Sequence, residues 1–436
     1  MPTAALHNLG CKVNSYETDV MQQMLMEAGY EIKDFTDTAD VYIINTCTVT
    51  NIADRKSRQM LHKAKGKNPQ AVVVAVGCYA QAAGEKLLED ASVDIVVGNN
   101  RKKDIVRIIE EYRKEHCAKD NLIDINHTSE YEALMLKKTS EHTRAYIKIQ
   151  DGCNQFCSYC IIPFARGRVR SRQAADIQAE ITALARMGYK EVVLTGIHIS
   201  SYGVDLKTDT LLTLLKKIHD ISGIQRIRLG SLEPRIVTEE FAREAAKLPK
   251  LCPHFHLSMQ SGCSDTLRRM NRHYTPEEYY EKCELLRKYY ENPAITTDVI
   301  VGFPQESQEE FDATEAFVEK VDFYETHIFK YSKRQGTNAA AMEGQIPEEE
   351  KTRRSNILIQ KNHQHKRAFM EKFLGQTVEI LLEEPLKHQE EQAMMGHTRE
   401  YMKAWVLGDK TLANTIVKAR VLEVTQDEML KCEIID

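Results

Sequence analysis

Twice along the chain, short runs of apolar, mostly β-branched residues alternate with stretches of helical periodicity, and few folds accommodate that pattern. In the first series TAALHNL, VYIIN, VVVAV and DIVVG lie between Thr3 and Gly98. They read as buried strands of a parallel sheet. Between them lie YETDVMQQMLMEAGY, NIADRKSRQMLHKAKGK and QAAGEKLLED, which carry helical spacing or strong helix formers. The alternation predicts an open α/β domain through about Tyr112. A second series starts near Thr143, with candidate strands RAYIKIQ, EVVLTGI, RIRLGSL, HFHLSMQ, AITTDVIVG and THIFKY. Helical patterns separate them, among them AADIQAEITALARMG, TLLTLLKKIHD and TPEEYYEKCELLRKYY. Six β/α units suggest a curved parallel sheet, a partial or complete barrel. Pro276 marks a helix start, and PEEEK from Pro347 opens a long helix toward Phe373.

The tail changes character. TVEILLEE, YMKAWVL, NTIVKARVLEVTQ and MLKCEII are short strand-like runs joined by turns and charges, which suggests a small all-β barrel. The expected fold is therefore α/β multidomain, with units at residues 1–115, 143–372 and 373–436 and a linker over 116–142.

Composition limits what such a chain does. A net charge of -5 over 436 residues gives no global attraction to nucleic acid, so contacts of that kind need local basic patches. No apolar run approaches the length of a membrane span, and MPTAALHNLG lacks the charged and apolar regions of a signal peptide. The expectation is a cytoplasmic chain with no membrane partner, where thiols stay reduced. Eleven cysteines then point to metal or redox chemistry in preference to disulfides.

Three of them stand in QDGCNQFCSYC as Cys153, Cys157 and Cys160, a C-x3-C-x2-C pattern directly after the first strand of the second series. Barrel enzymes place their chemistry on that edge. Small buried hydrophobes, or a zinc site completed by a distant ligand, are the plain alternatives. Three thiolates can also hold three irons of a 4Fe-4S cluster and leave the fourth open. A second set, Cys11, Cys47 and Cys78, stands in NLGCKVN, INTCTVT and AVGCYAQ, each cysteine just past a predicted strand. In an open parallel sheet the carboxyl ends of the strands line one crevice, so these three thiols are expected to converge there.

The C-x3-C-x2-C spacing resembles the signature of the radical S-adenosylmethionine (SAM) enzymes. Two cysteine sets in this order, followed by a β-barrel tail, resemble the methylthiotransferase family over nearly the whole chain. Within it, GCKVNSYETD and CNQFCSYCIIPFARGRVRSR are most similar to the bacterial threonylcarbamoyladenosine tRNA methylthiotransferases. Isopentenyladenosine relatives typically show Gln-Met in place of Lys12-Val13.

The resemblance implies an N-terminal auxiliary-cluster domain, a partial (β/α)6 radical SAM barrel and a C-terminal TRAM barrel that grips tRNA. It implies two 4Fe-4S clusters and SAM. Cys153, Cys157 and Cys160 hold the cluster whose open iron binds SAM and generates a 5′-deoxyadenosyl radical. Cys11, Cys47 and Cys78 hold the auxiliary cluster, whose sulfur is methylated by a first SAM. The implied reaction is methylthiolation of carbon 2 of N6-threonylcarbamoyladenosine beside the tRNA anticodon. It also implies an electron donor such as flavodoxin or ferredoxin, and a sulfur source. Methylthiolation of another tRNA adenosine or of a ribosomal protein remains an alternative, as does a non-catalytic iron-sulfur or zinc-stabilised RNA-binding protein.

Further residues fit as ligands or as packing. Thr195 and Gly196 in LTGIHIS match the place where radical SAM enzymes bind the SAM amino group. Ser258, Gln260 and Ser261 in HLSMQSG end the fourth strand, and Asp298 and Gly302 lie in TDVIVGFPQE, the glycine allowing adenine a close approach. Arg166, Arg168, Arg170 and Arg172 alternate, which puts them on one side if the segment is extended; they suit the SAM carboxylate, with Arg168 the candidate, phosphates, with Arg166, or acidic protein neighbours. In the tail MGHTREYMKAWVL resembles the TRAM pattern at Gly396, Thr398 and Tyr401. Arg399, Tyr401 and Lys403 are the RNA-binding candidates, while Trp405 is expected in the barrel core. Cys117, Cys252, Cys263, Cys283 and Cys432 are expected as buried apolar residues.

Overall fold

The computed structural model describes residues 1–115, 119–137, 143–388 and 391–435. Cys117 lies outside them. The first unit is a six-stranded parallel sheet ordered β2-β1-β3-β4-β5-β6. Its strands are β1 (Thr3–Asn8), β2 (Glu31–Lys33), β3 (Val41–Thr46), β4 (Val72–Gly77), β5 (Ile95–Val97) and β6 (Lys119–Asn121). Strands β3 and β4 are buried almost throughout because helices cover both faces. The edge strands β2 and β6 were not expected. EIK and KDN are too short and polar to carry an apolar period. Helices run over Lys12–Glu27 and Asn51–Lys67, the latter capped by Thr50, whose side chain accepts from Ala53 N. The helix expected in QAAGEKLLED is a short one at Cys78–Ala83, broken at Gly84, whose φ is 62°.

The segment after β6 is not a free linker. Leu134 and Leu136 pack on Tyr16 and Val20 of the first unit, and the Leu136 N–H donates to Glu180 of the second.

The second unit contains the six expected parallel strands: β7 (Arg144–Asp151), β9 (Glu191–Gly196), β10 (Arg226–Leu229), β11 (His254–His256), β12 (Ala294–Val301) and β13 (Glu325–Lys330). A two-residue β8 (Arg170–Ser171) pairs antiparallel with the end of β7. Strand order is β10-β9-β7-β8 in one sheet and β11-β12-β13 in the other. The bridges Ile227 to Leu251 and Leu232 to Leu257 join them into one open, partial barrel. Residues such as Ile295, Val299 and Val301 face the helical layer, so Thr296, Asp298 and Ile300 face the lumen. Capping boxes start the outer helices at Thr275 with Glu278 and at Ser307 with Glu310. Pro347 precedes the long helix Glu348–Glu371.

The tail is a closed barrel ordered β14-β15-β16-β18-β17, with strands β14 (Thr377–His388), β15 (Glu391–Thr398), β16 (Lys403–Leu407), β17 (Ile416–Val424) and β18 (Leu430–Ile434). Strand β15 escaped the sequence pattern because Gly396 interrupts it. A Cβ there would meet Leu381 O at 1.9 Å, where β14 and β15 cross most closely beside a bulge at Leu382/Glu384. Among the described residues no helix is long and apolar enough to cross a membrane.

Candidate active site

The loop after β7 carries Cys153, Cys157 and Cys160. It leaves the strand through Gly152 at φ 71°, where a Cβ would strike Arg168 O at 1.9 Å, so only glycine allows the turn. The Cys153 N–H donates to Gly167 O at 3.0 Å, and the Cys160 N–H to Cys157 O at 2.9 Å. Asn271 Nδ2 holds Phe156 O at 3.0 Å, and Ser158 Oγ donates to Arg269 O at 2.7 Å. Gln150 donates from Nε2 to Asp151 O and Gly152 O at 2.7 and 2.6 Å, while its Oε1 accepts the His198 N–H at 2.7 Å. The loop is thus fixed from both sides before any ligand arrives.

All three thiols are free and partly open. Burial pushes Cys153 up to about 11 and Cys160 up to about 12. Without a cation these sulfurs are neutral thiols; a metal would have to drive their deprotonation. Arg272 donates from Nη1 to Cys157 Sγ at 3.3 Å, and its Nε donates to Tyr274 OH at 3.0 Å. Arg272 lies in the unpatterned turn NRHYT, where no periodicity or motif marks it.

The other triad is assembled from three strand ends. Cys11 caps Lys12–Glu27, Cys47 follows β3, and Cys78 follows β4. The thiols are close enough to act on one another's titration, and burial raises Cys47 to about 11. A Cβ on Gly10 would meet Cys47 Sγ at 2.9 Å, and one on Gly77 would meet Asn45 Oδ1 at 2.5 Å, so both approaches depend on glycine.

Arg166 links Cys78 of this triad to Asp151, which lies two residues before Cys153. Its Nε donates to Cys78 Sγ at 3.1 Å. Its Nη atoms donate to Glu17 at 2.8 and 3.0 Å, to Asp151 at 3.2 Å and to Asn14 Oδ1 at 2.7 Å. Lys102 and Lys148 reach Glu17 at 3.1 and 2.7 Å, and Lys148 reaches Asp151 at 2.6 Å. Burial opposes ionisation of Glu17, but Arg166, Lys102 and Lys148 outweigh it and hold the carboxyl well below its usual range. Asp151, two residues before Cys153, is held down in the same way by Lys148 and Arg166. This network was missed, although Lys148 inside an otherwise apolar strand was the available signal.

The expectation that four alternating arginines share one face is corrected, because Ile162–Arg166 is helical and Gly167 turns the chain. Arg166 is fully buried and so cannot meet RNA phosphates, contrary to the sequence reading. Arg168 lies over the Phe156 ring at 4.6 Å and donates to Pro163 O at 3.3 Å, Arg170 faces Asp151 at 3.8 Å, and Arg172 pairs with Glu180.

Thr195 and Gly196 end β9 beside β7, and a Cβ on Gly196 would meet Gln150 O at 2.9 Å. Ser258 O accepts from Tyr274 OH at 2.7 Å. Gln260 adopts φ 70° and exchanges backbone hydrogen bonds with Asp298 and Ile300 in the lumen wall. Asp298 faces His256 Nε2 at 3.3 Å. Two candidates point elsewhere. Ser261 is fully buried against Thr314 of the helical layer, at 3.1 Å between their hydroxyl oxygens. The space a Cβ on Gly302 would need is filled by Lys351 Cγ at 2.2 Å, so the glycine is used there for close packing of Lys351.

In the tail, Arg399 is also corrected as a free phosphate ligand. Its Nη2 donates to Pro249 O and Leu251 O at 2.5 and 3.1 Å, which docks the barrel onto the second unit. Tyr401, at φ 73°, turns its ring toward Arg228 and Arg144, 4.6 and 5.1 Å away, rather than toward open solvent. Lys403 is exposed. Trp405 is buried, as are Thr398, Cys252, Cys283 and Cys432; Cys263 is half-buried.

Residues 147–318 match the family described as Radical SAM superfamily, and residues 3–98 match the Uncharacterized protein family UPF0004. A threonylcarbamoyladenosine tRNA methylthiotransferase of Bacillus subtilis is 42% identical over 97% of this chain and 94% of its own length. The chain belongs to the radical SAM methylthiotransferase family.

An Aquifex aeolicus protein of the same name is 41% identical over 87% of this methylthiotransferase and 92% of its own length. A tRNA-2-methylthio-N(6)-dimethylallyladenosine synthase of Clostridium botulinum is 33% identical over 98% and 95%. The radical SAM methyltransferase TsrM of Kitasatospora setae, at 16% identity, shares the fold with a TM-score of 0.57 over 76% of this chain and 73% of its own. The family implies a 4Fe-4S cluster and SAM, and the geometry fits. Ligands of one tetrahedral zinc lie about 3.8 Å apart. Among the described residues the three donors found within 4.8 Å of one another are His256, Asp298 and His327; neither cysteine triad is drawn that tight. The three free, partly open thiols of the Cys153–Cys160 loop supply the donors that one 4Fe-4S cluster needs.

Proposed function

We propose that this methylthiotransferase modifies carbon 2 of N6-threonylcarbamoyladenosine next to the anticodon of a tRNA. The chemistry rests on one observation: two sets of three free cysteines, one on the barrel loop and one at the strand ends of the neighbouring sheet, with Arg166 reaching from Cys78 to Asp151 at the base of the loop. The substrate rests on the similarity to relatives named for threonylcarbamoyladenosine. Carbon 2 carries an unactivated aromatic hydrogen with no acidic proton, which acid-base residues cannot easily remove. A cluster held by Cys153, Cys157 and Cys160 would supply the electron that cleaves SAM to an abstracting radical, and a second, held by Cys11, Cys47 and Cys78, the sulfur.

The chain's own residues bind and orient. Arg272 fixes Cys157 and partly balances thiolate charge. Arg166 does the same for Cys78. Gln150 holds the loop backbone, and Thr195, Gly196, Gln260 and Asp298 line the lumen where SAM would lie. Residues 1–115 would form the auxiliary-cluster domain, 143–372 the radical SAM core and 373–436 the tRNA-gripping domain. The setting is cytoplasmic, with a flavodoxin- or ferredoxin-like electron donor and a separate sulfur source. Nucleoside mass spectrometry of tRNA from cells with and without the gene tests the assignment. The 2-methylthio form of threonylcarbamoyladenosine should disappear; its persistence alongside loss of another methylthio product would refute the substrate.

A further inference from the structure

Lys12 differs from the other lysines drawn into the interior. Lys102 and Lys148 are fully buried, and each is paired with Glu17. Lys12 follows Cys11 directly and extends over the barrel lumen, its Nζ 5.9 Å from the centroid of Tyr401. Among the described residues it has no carboxylate within ion-pair distance. Arg144 and Arg228 crowd the same ring. Arg144 pairs with Glu383, and Arg228 with Glu191 at 2.8 Å. That single Glu191 is shared at 3.8 Å with both Arg144 and Arg226, so the chamber keeps an excess of positive charge.

The same lumen holds buried polar atoms that make no hydrogen bond: Arg144 Nη1, His254 Nδ1 and His256 Nε2. The His254 ring lies 5.0 Å from Tyr401, the ring that Lys12 and Arg228 also approach, and His256 stacks on His327 at 5.8 Å. Asp298 faces His256 at 3.3 Å. Cations and orphaned donors around a concave space are costly unless an anion enters. Cys11, the neighbour of Lys12, belongs to the triad that faces the reaction, so an anion here would be part of the substrate.

We infer that Lys12 is a specificity-determining residue whose ammonium binds the carboxylate of the threonylcarbamoyl group, beside the orphaned donors of Arg144 and His254. This inference rests on the tRNA reading proposed above. A threonylcarbamoyl group ends in a carboxylate; a dimethylallyl group has neither charge nor hydrogen-bonding atoms. A site whose buried cations are left unpaired by the second group discriminates strongly against it.

The test uses reconstituted holoenzyme and anticodon stem-loop RNA carrying threonylcarbamoyladenosine, compared with the same RNA after conversion of the carboxylate to its methyl ester. Kd and kcat/KM are measured for both. Wild type should prefer the carboxylate by about tenfold or more. Lys12→Gln should lower kcat/KM on the carboxylate RNA by about ten- to a hundredfold, through Kd and KM, and bring the preference to about one. Lys12→Arg should restore most of it. An unchanged preference in Lys12→Gln, or equal loss on both RNAs, overturns the inference while leaving the substrate assignment intact. A wild-type enzyme that ignores the carboxylate RNA but methylthiolates RNA carrying dimethylallyladenosine overturns both.

Discussion

The two cysteine triads reach similar chemistry by opposite routes. Cys153, Cys157 and Cys160 share one loop, shaped by the left-handed Gly152 and pinned by Asn271, Ser158 and Gln150. Cys11, Cys47 and Cys78 come from three strand ends and meet only because a parallel sheet brings those ends to one edge. The first is specified locally, the second by topology. Each is served by one arginine, yet Arg272 lies half in the open beside Tyr274, whereas Arg166 is fully buried among Glu17, Asp151 and Asn14. A local site tolerates an unfinished fold around it; a distributed one cannot form until the sheet that carries it has assembled.

The largest predicted effect tests the local triad. Cys157→Ala should abolish SAM cleavage, followed as 5′-deoxyadenosine release under reductant, because two thiolates cannot hold a cluster of this type. Anaerobic reconstitution of the wild type should load about eight irons per chain, and of this variant about four.

Next comes Arg166→Met, which breaks the link from Cys78 to Glu17 and Asp151. It leaves Glu17 and Asp151 short of a buried counter-charge, at a cost of roughly 3–5 kcal/mol in stability by thermal or denaturant unfolding. Auxiliary iron should be lost before radical SAM iron. A variant as stable as wild type would mean that Glu17 and Asp151 do not need Arg166 as a counter-charge.

Arg272→Gln should be milder. Losing the charged donor at Cys157 shifts the cluster potential downward and slows SAM cleavage by about tenfold or more, without unfolding the chain. Potentiometry reads the shift directly, and an upward shift would contradict the assigned role.

The smallest effect lies away from both triads. Lys403→Ala should reduce the slope of log Kd for tRNA against log salt by roughly one. Arg399→Ala, by contrast, should loosen the docked tail barrel, since its donors are committed to Pro249 O and Leu251 O.

What could be read in advance follows the same division. Strands β3 and β4 were legible because burial on both faces leaves continuous apolar runs, and the six strands of the partial barrel because each stands in a β/α alternation. Strand β15 was not, because Gly396 answers to a close crossing at Leu381 rather than to any strand preference. The loop cysteines announced themselves by spacing. The arginines misled, because alternation fixes a shared face only in extended chain, and Arg166 closes a helical turn. Glu17, Lys102, Lys148 and Arg166 come from four separate segments, and nothing in any one of them reveals that they neutralise one another.

The central claim is a division of labour between the triads, and Cys47→Ala tests it most directly. With reconstituted protein, reductant, SAM and threonylcarbamoyladenosine-bearing tRNA, 5′-deoxyadenosine and methylthiolated nucleoside are quantified in one reaction. The account predicts that Cys47→Ala still releases 5′-deoxyadenosine while forming no methylthiolated product. Equal loss of both products would contradict it.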